Sequence, residues 1–242
     1  MTIVDCVWEL ANIGKRTCEI TLSSDELIEE SALRELCAEY EYIVVKIGTT
    51  NMYNSLLLGK LGFSFAETQI SISKKIVDKA NEPDFIVDRY RQNSSLSLIQ
   101  TEDQLNGIIQ KMSSNMFTTD RIYLDPYLGA KYSLQRYSNW MKTEFAKHIP
   151  IYELRYKKNV VGFIMYKRIE NVIDALLGGV FENYQNMGLG LLLPLVPYLI
   201  PEKIEWYRTR ISSNNLPVWM MYERLHYQIT NFEYIFIKHN DI

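Results

Sequence analysis

The stretch Val180–Gly190, "VFENYQNMGLG", follows an apolar, strand-like run and precedes the equally apolar "LLLPLVPYLI" of residues 191–200. The chain has only 11 glycines in 242 residues, yet Gly188 and Gly190 both stand where a helix is expected to begin. Glycine inside a helix costs about 1 kcal/mol relative to alanine, so its place in a first turn needs a reason. One reason is a tight loop; the other is a backbone that must come close to a ligand. A helix N-terminus presents unpaired N–H groups and a partial positive charge, and glycines remove side chains that would block an anion. The order strand, Gln185-x-x-Gly188-x-Gly190, helix therefore describes a nest for a phosphate or pyrophosphate. It lacks the GKS or GKT of a Walker loop and is not the Rossmann GxGxxG. On spacing alone, a purely structural turn is an equal alternative.

Composition narrows the field. A hydrophobic content of 47% supports a real core in one large or two modest domains. The net charge of −3 argues against a nucleic-acid partner, which usually selects a basic excess. No apolar run approaches the roughly 20 residues that cross a bilayer, and the longest, 189–200, contains two prolines, so no membrane association is expected. The N-terminus "MTIVDCVWEL" carries acids and no basic region, which does not describe a secretory signal. Cys6, Cys18 and Cys37 show no CxxC or CxxH spacing, and His148, His226 and His239 are scattered. These residues predict a reduced, cytoplasmic protein without a metal site.

Along the chain, "TCEITLS" alternates as a strand, and residues 23–40 read as a helix capped by Ser23 or Ser24. Strand "YIVVKIG", helix "NMYNSLLLGKL" and strand "FAETQISIS" follow. Residues 74–95 are polar, contain the first proline and keep no period, which marks a linker. The boundary falls near residue 85, leaving domains 1–85 and 86–242. The second opens with strand "LSLIQ" and a helix with a capping box at Thr101 and Gln104. A long polar-aromatic loop over 113–133 is of the kind that shapes binding pockets. Helix "LQRYSNWMKTEFAK" leads into three strands over 150–182, the first two joined by a tight turn at Lys158-Asn159. The glycine-bearing helix, strand 203–212, helix 216–225 and strand 232–239 complete a mixed α/β layer architecture with an antiparallel meander.

In this context the run Val180-x-x-x-Tyr184-Gln185-x-x-Gly188-Leu189-Gly190 resembles the acetyl-CoA-binding motif of the GNAT family of N-acetyltransferases. It departs from that motif at Glu182, where proline is common, and at Asn186, where glycine is common. The family's later signature, an Asn opening a helix that carries a Tyr, is matched by Asn215 and Tyr222, although His226-Tyr227 replaces the usual Gly-Phe. The resemblance covers about residues 95 to 242. It implies a mixed, splayed sheet flanked by helices, opening between the strands that end near Val180 and Ile211. It further implies acetyl-CoA held by Val180, Gln185, Asn186, Met187, Gly188, Leu189, Gly190 and Asn215, with no metal. Direct attack by a neutral amine expels a thiolate, which benefits from a proton donor; the resemblance gives that role of general acid to Tyr222. Within the family, the loop and helix of residues 118–145, "TTDRIYLDPYLGAKYSLQRYSNWMKTEF", and the extra N-terminal portion are similar to the nucleotide amino-sugar acetyltransferases that acylate dTDP-fucosamine. Asp120, Arg121, Tyr123 and Tyr127 are then candidates to line a pocket for a small-molecule amine, and a homodimer stays open. The same cofactor site also fits another amine acceptor, or a non-catalytic acyl-CoA sensor.

An internal repeat underlies the N-terminal portion. "IGTTNMYNSLLLGKLGF" from Ile47 aligns without a gap on "ISSNNLPVWMMYERLHY" from Ile211, an offset of 164 residues (211 − 47). Ile47, Asn51 and Leu61 match Ile211, Asn215 and Leu225. The counterpart of Tyr222 is Leu58, and no QxxGxG precedes Ile47. The first part is therefore expected to be a truncated GNAT-like α/β half-domain without a cofactor of its own.

Overall fold

The computed structural model describes residues 1–76 and 85–240. In chain order its elements are β1 (Thr2–Asp5), α1 (Trp8–Ile13), β2 (Thr17–Thr21), α2 (Glu30–Glu39), β3 (Tyr42–Gly48), α3 (Met52–Lys60) and β4 (Ser64–Lys75). Then come α4 (Phe85–Arg91), β5 (Ser94–Leu98), α5 (Glu102–Ile109), α6 (Arg121–Leu124), α7 (Ala130–Ala146), β6 (Ile151–Tyr156), β7 (Asn159–Ile169) and β8 (Val172–Val180). The last are α8 (Val196–Leu199), β9 (Trp206–Ser212), α9 (Leu216–Arg224) and β10 (Gln228–His239).

All ten strands form one mixed sheet, ordered β1-β2-β3-β10-β4-β9-β8-β7-β6-β5. Only β2·β3 and β8·β9 run parallel. The repeat is visible in its middle. β3, α3 and β4 begin and end 164 residues before β9, α9 and β10. Each copy then gives its last strand to the other, because β10 pairs with β3 and β4 pairs with β9. The registers correspond too: Glu233 faces Gly48 as Gln69 faces Ser212. The two irregularities between β10 and β4, at Ile229/Asn231 and Ile235/Phe236, exchange under the same shift. A pseudo-twofold axis thus passes between β4 and β10. The left-handed turn after each helix is also shared, with φ of 82° at Gly62 and 59° at His226.

Helices cover both faces of the sheet. On one, α2 and α3 bury Leu33, Leu57 and Leu58 against Ile20, Ile43, Val45 and Ile47. On that side of the second half, Tyr222 and Leu225 of α9 pack with Leu192, Tyr207 and Ile211. The opposite face is sealed by α5 and α7 over Phe163 and Met165. There Ile13 of α1 and Ile122 of α6 also meet Tyr42, Val44, Ile235 and Ile237. Helix α7 ties the halves together through Arg136 to Glu9 at 2.6 Å and Asn139 to Asn12 at 2.9 Å.

Several local expectations shift. The capping box at Thr101 forms. Helix α2 starts at Glu30 rather than at Ser23 or Ser24, because Ser23 turns its N–H and hydroxyl to the Glu26 carboxylate instead. The first hairpin turn falls on Lys157-Lys158, with Lys157 at φ 55°. Of the supposed linker 74–95, Lys75 ends β4 and residues 85–91 form α4, while residues 77–84 lie outside the described part. Among the described residues no helix is long and apolar enough to cross a membrane, and no cluster of His, Cys, Asp and Glu could hold a metal ion.

Candidate functional site

The parallel ladder between β8 and β9 is short. It joins Val172 to Trp206 and ends at Ala175 and Thr209, although β8 continues to Val180 and β9 to Ser212. Its last pair is braced by the Thr209 hydroxyl, which donates to the Ala175 carbonyl at 3.0 Å. The next residue of β8, Leu176, is a bulge: β7 pairs Tyr166 with Ala175 and Met165 with Leu177. A bulge bends its strand and ends regular pairing. The two strands therefore part from this point and leave a split in the sheet.

The turn after β8 closes one end of that split. Asn186 and Gly188 are both left-handed, with φ of 62° and 74°. Among the described residues, the amides of 186–190 donate no hydrogen bond, and residues 186–188 are exposed. The expected helix does not continue from Gly190. A 3₁₀ turn spans Leu189–Leu192 and α8 holds only four residues, because Pro194 and Pro197 lack the N–H groups that a longer helix needs. Any attraction for an anion thus comes from the exposed amides more than from a helix dipole. The Tyr90 hydroxyl donates to the Gly188 carbonyl at 3.1 Å. Burial raises its pKa, while the nearby Arg89 and Arg224 charges act against that shift.

Across the split, Asn215 caps α9 by accepting from the Val218 amide at 3.3 Å. Its backbone N–H donates to the Ser212 carbonyl at 3.0 Å, and its side-chain Nδ2 has no partner among the described residues. The Tyr222 side chain is buried, with its hydroxyl 3.5 Å from that of Tyr207. Tyr207 in turn donates to the Leu193 carbonyl at 3.2 Å. Burial pushes the Tyr222 phenol up to about 12, against the hydrogen bond with Tyr207. It is thus a protonated donor across the neutral range.

These features sit in a recognisable frame. The chain aligns with a GCN5-related N-acetyltransferase from Sphaerobacter thermophilus at TM-score 0.57 and 8% identity, over 82% of this chain and 59% of that one. It therefore spans about three fifths of that protein's length. A tandem GNAT protein from the clavulanic acid biosynthesis pathway gives 0.53 and 10%, over 92% and 75%. A GCN5-related N-acetyltransferase from Kribbella flavida gives 0.52 and 11%, over 92% and 80%. The chain has the GNAT fold. No protein-family model and no curated protein matches its sequence.

Within this fold the four loop residues named as pocket candidates separate. Asp120 caps α6, accepting from the amides of Ile122 at 2.9 Å and Tyr123 at 3.2 Å, and it also takes the Ser133 hydroxyl at 2.7 Å. Arg121 reaches into the contact between the halves, where burial opposes its charge and Tyr42, Glu19, Glu67 and Glu9 more than offset that. Tyr123 is half-buried on α6. Tyr127 is exposed and its ring lies 5.1 Å from His239, at the end of β10. The loop does reach the split, since a Cβ on Gly179 would stand 2.8 Å from Met116 Cε. Sequence reasoning missed Tyr90, Tyr207 and Glu67. Glu67, the only charged residue within "FAETQISIS", offered a faint signal; the other two look like ordinary aromatics.

Proposed function

We propose that this protein is an acetyl-CoA-dependent N-acetyltransferase with a single donor site between β8 and β9. The observation that carries the reading is the turn at residues 186–190, exposed over 186–188 and with no acceptor for its amides among the described residues, set beside a split sheet in a GNAT fold. The donor supplies an activated acetyl thioester. Gln185, Asn186, Met187, Gly188, Leu189 and Gly190 would hold its pyrophosphate. Val180 and Asn215 would hold the arm that leads to the sulphur, by strand-like hydrogen bonding to the free edge of β8. Tyr222 would give a proton to sulphur as the amine displaces it. The acceptor is a small primary amine, and the likeness of residues 118–145 to dTDP-fucosamine acetyltransferases supports a nucleotide-linked amino sugar. Residues 1–85 would act as a scaffold half without a donor site, and 86–242 as the catalytic half.

One observation favours a second reading. The Tyr222 hydroxyl is buried against Tyr207, an arrangement that also suits a non-catalytic acyl-CoA sensor. Acetyl transfer from acetyl-CoA to a panel of amines, including a dTDP-linked amino sugar, separates the two. Product from any amine supports the enzyme. Coenzyme A binding with no product on the whole panel supports the sensor. Calorimetric titration is expected to give one coenzyme A per chain; two would show that the first half keeps a working site.

A further inference from the structure

Glu67 is 5% exposed and belongs to β4, the strand that the first half lends to the second. The turn after β9 holds it in place, because Ser213 donates its N–H to the Thr68 carbonyl at 2.8 Å and its hydroxyl accepts from the Thr68 amide at 3.1 Å. Glu67 thereby lies beside the Ser212 hydroxyl, at the end of β9 that β8 has left. Its pairing with Ile235 puts its side chain on the sheet face covered by α1, α6 and α7, opposite α9.

The carboxylate is poorly matched there. Oε2 has no hydrogen-bond partner among the described residues. Burial raises the Glu67 pKa, countered by Ser212 and Arg121. The neighbouring acids are already engaged: Glu9 with Arg136 at 2.6 Å and Glu19 with Lys46 at 2.7 Å. Arg136 and Lys46 are thus taken by Glu9 and Glu19, and Glu67 forms no ion pair among the described residues. Keeping an uncompensated buried charge is costly, and such groups concentrate at functional sites.

We propose that Glu67 holds the ammonium group of the acceptor, so that the first half completes the acceptor site of the second. This deepens the acetyl-transfer reading and rests on it. A cation beside Glu67 would give Oε2 the partner it lacks. It would also stand beside the split, on the sheet face opposite α9. The half that has no donor site would thereby retain a reason to stay attached.

The test titrates three probe amines, D-glucosamine, spermidine and glycyl-lysine, into coenzyme A-saturated protein by calorimetry. At least one is expected to bind, and Glu67→Gln is expected to weaken that binding at least tenfold while leaving coenzyme A affinity unchanged. Glu67→Asp should recover part of it. The thermal midpoint of Glu67→Gln should equal or exceed that of the unaltered chain, since the substitution removes an unpaired buried charge; a purely structural Glu67 predicts a clear drop. Equal binding to both proteins, no binding of any probe, or failure of both variants to fold overturns the proposal. If the unaltered chain does not bind coenzyme A, the acetyl-transfer reading fails separately. The amines are then titrated into the free protein, where the same comparison decides the role of Glu67.

Discussion

The two halves carry the same strand–helix–strand unit in the same register, yet they treat the gap beside it in opposite ways. In the first half β2 stays paired with β3 from Thr17 to Thr21, and the Leu22 amide extends the ladder to the Lys46 carbonyl. The following loop then lies against the end of β3, where a Cβ on Gly48 would stand 2.8 Å from Ser24 Oγ. Asn51, the counterpart of Asn215, donates to the Glu26 carbonyl at 2.8 Å, and Asn54 does the same. In the second half the ladder stops at Ala175, and the side-chain Nδ2 of Asn215 has no partner among the described residues. One copy fills the space with its own backbone; the other leaves it for something else. A duplicated fold can thus lose a site by closing it with chain, without losing the packing that held it.

The comparison breaks most sharply at Gly188. Gly188→Val forces a branched side chain into φ 74°, with its Cβ 3.2 Å from the Tyr90 hydroxyl. Coenzyme A affinity should fall by at least about 100-fold in a protein that still folds, which calorimetry and circular dichroism would show together. Retained affinity would move the phosphate site elsewhere. The change has no counterpart to disturb in the first half.

Tyr222→Phe comes next. It should lower kcat by about 10²–10⁴, the span typical of a positioned proton donor, with acetyl-CoA affinity nearly unchanged. A rate within threefold of the unaltered enzyme would make Tyr222 an ordinary member of the Tyr207–Tyr227 cluster. Leu58→Tyr, at the equivalent place, should bring no activity to the first half.

The two asparagines should divide stability from binding. Asn51→Ala removes a cap and one of the two side-chain donors to the Glu26 carbonyl, for a loss of about 2 kcal/mol in denaturant unfolding. Asn215→Ala removes only the cap, about 1 kcal/mol, but should weaken coenzyme A binding severalfold. Equal losses in both assays would mean that the halves do not differ as their hydrogen bonds imply. The smallest effect belongs to the shared turn. His226→Gly should stabilise by about 0.5–1 kcal/mol, because Gly62 already shows which residue suits that left-handed position.

What could be read from the residues alone was local. The β-branched run "YIVVKIG", the alternation of "FAETQISIS", the asparagines that open α3 and α9, and the 164-residue offset all express short-range preferences, so the repeat was legible, although β10 starts four residues before the expected Phe232. The glycine turn was legible as a turn, but the helix after it was overestimated, because Pro194 and Pro197 act on backbone hydrogen bonds that an apolar pattern does not report. The exchange of β4 and β10 was decided only in three dimensions. Identical registers let either strand pair with either copy's neighbour, and the strand sequences do not say which. The same holds for Glu67. It reads as one acid on a half-exposed strand, and its burial depends on Arg121 and α7, contributed by chain more than 50 residues later. Charges become informative through what surrounds them, and those surroundings exist only once the two halves have met.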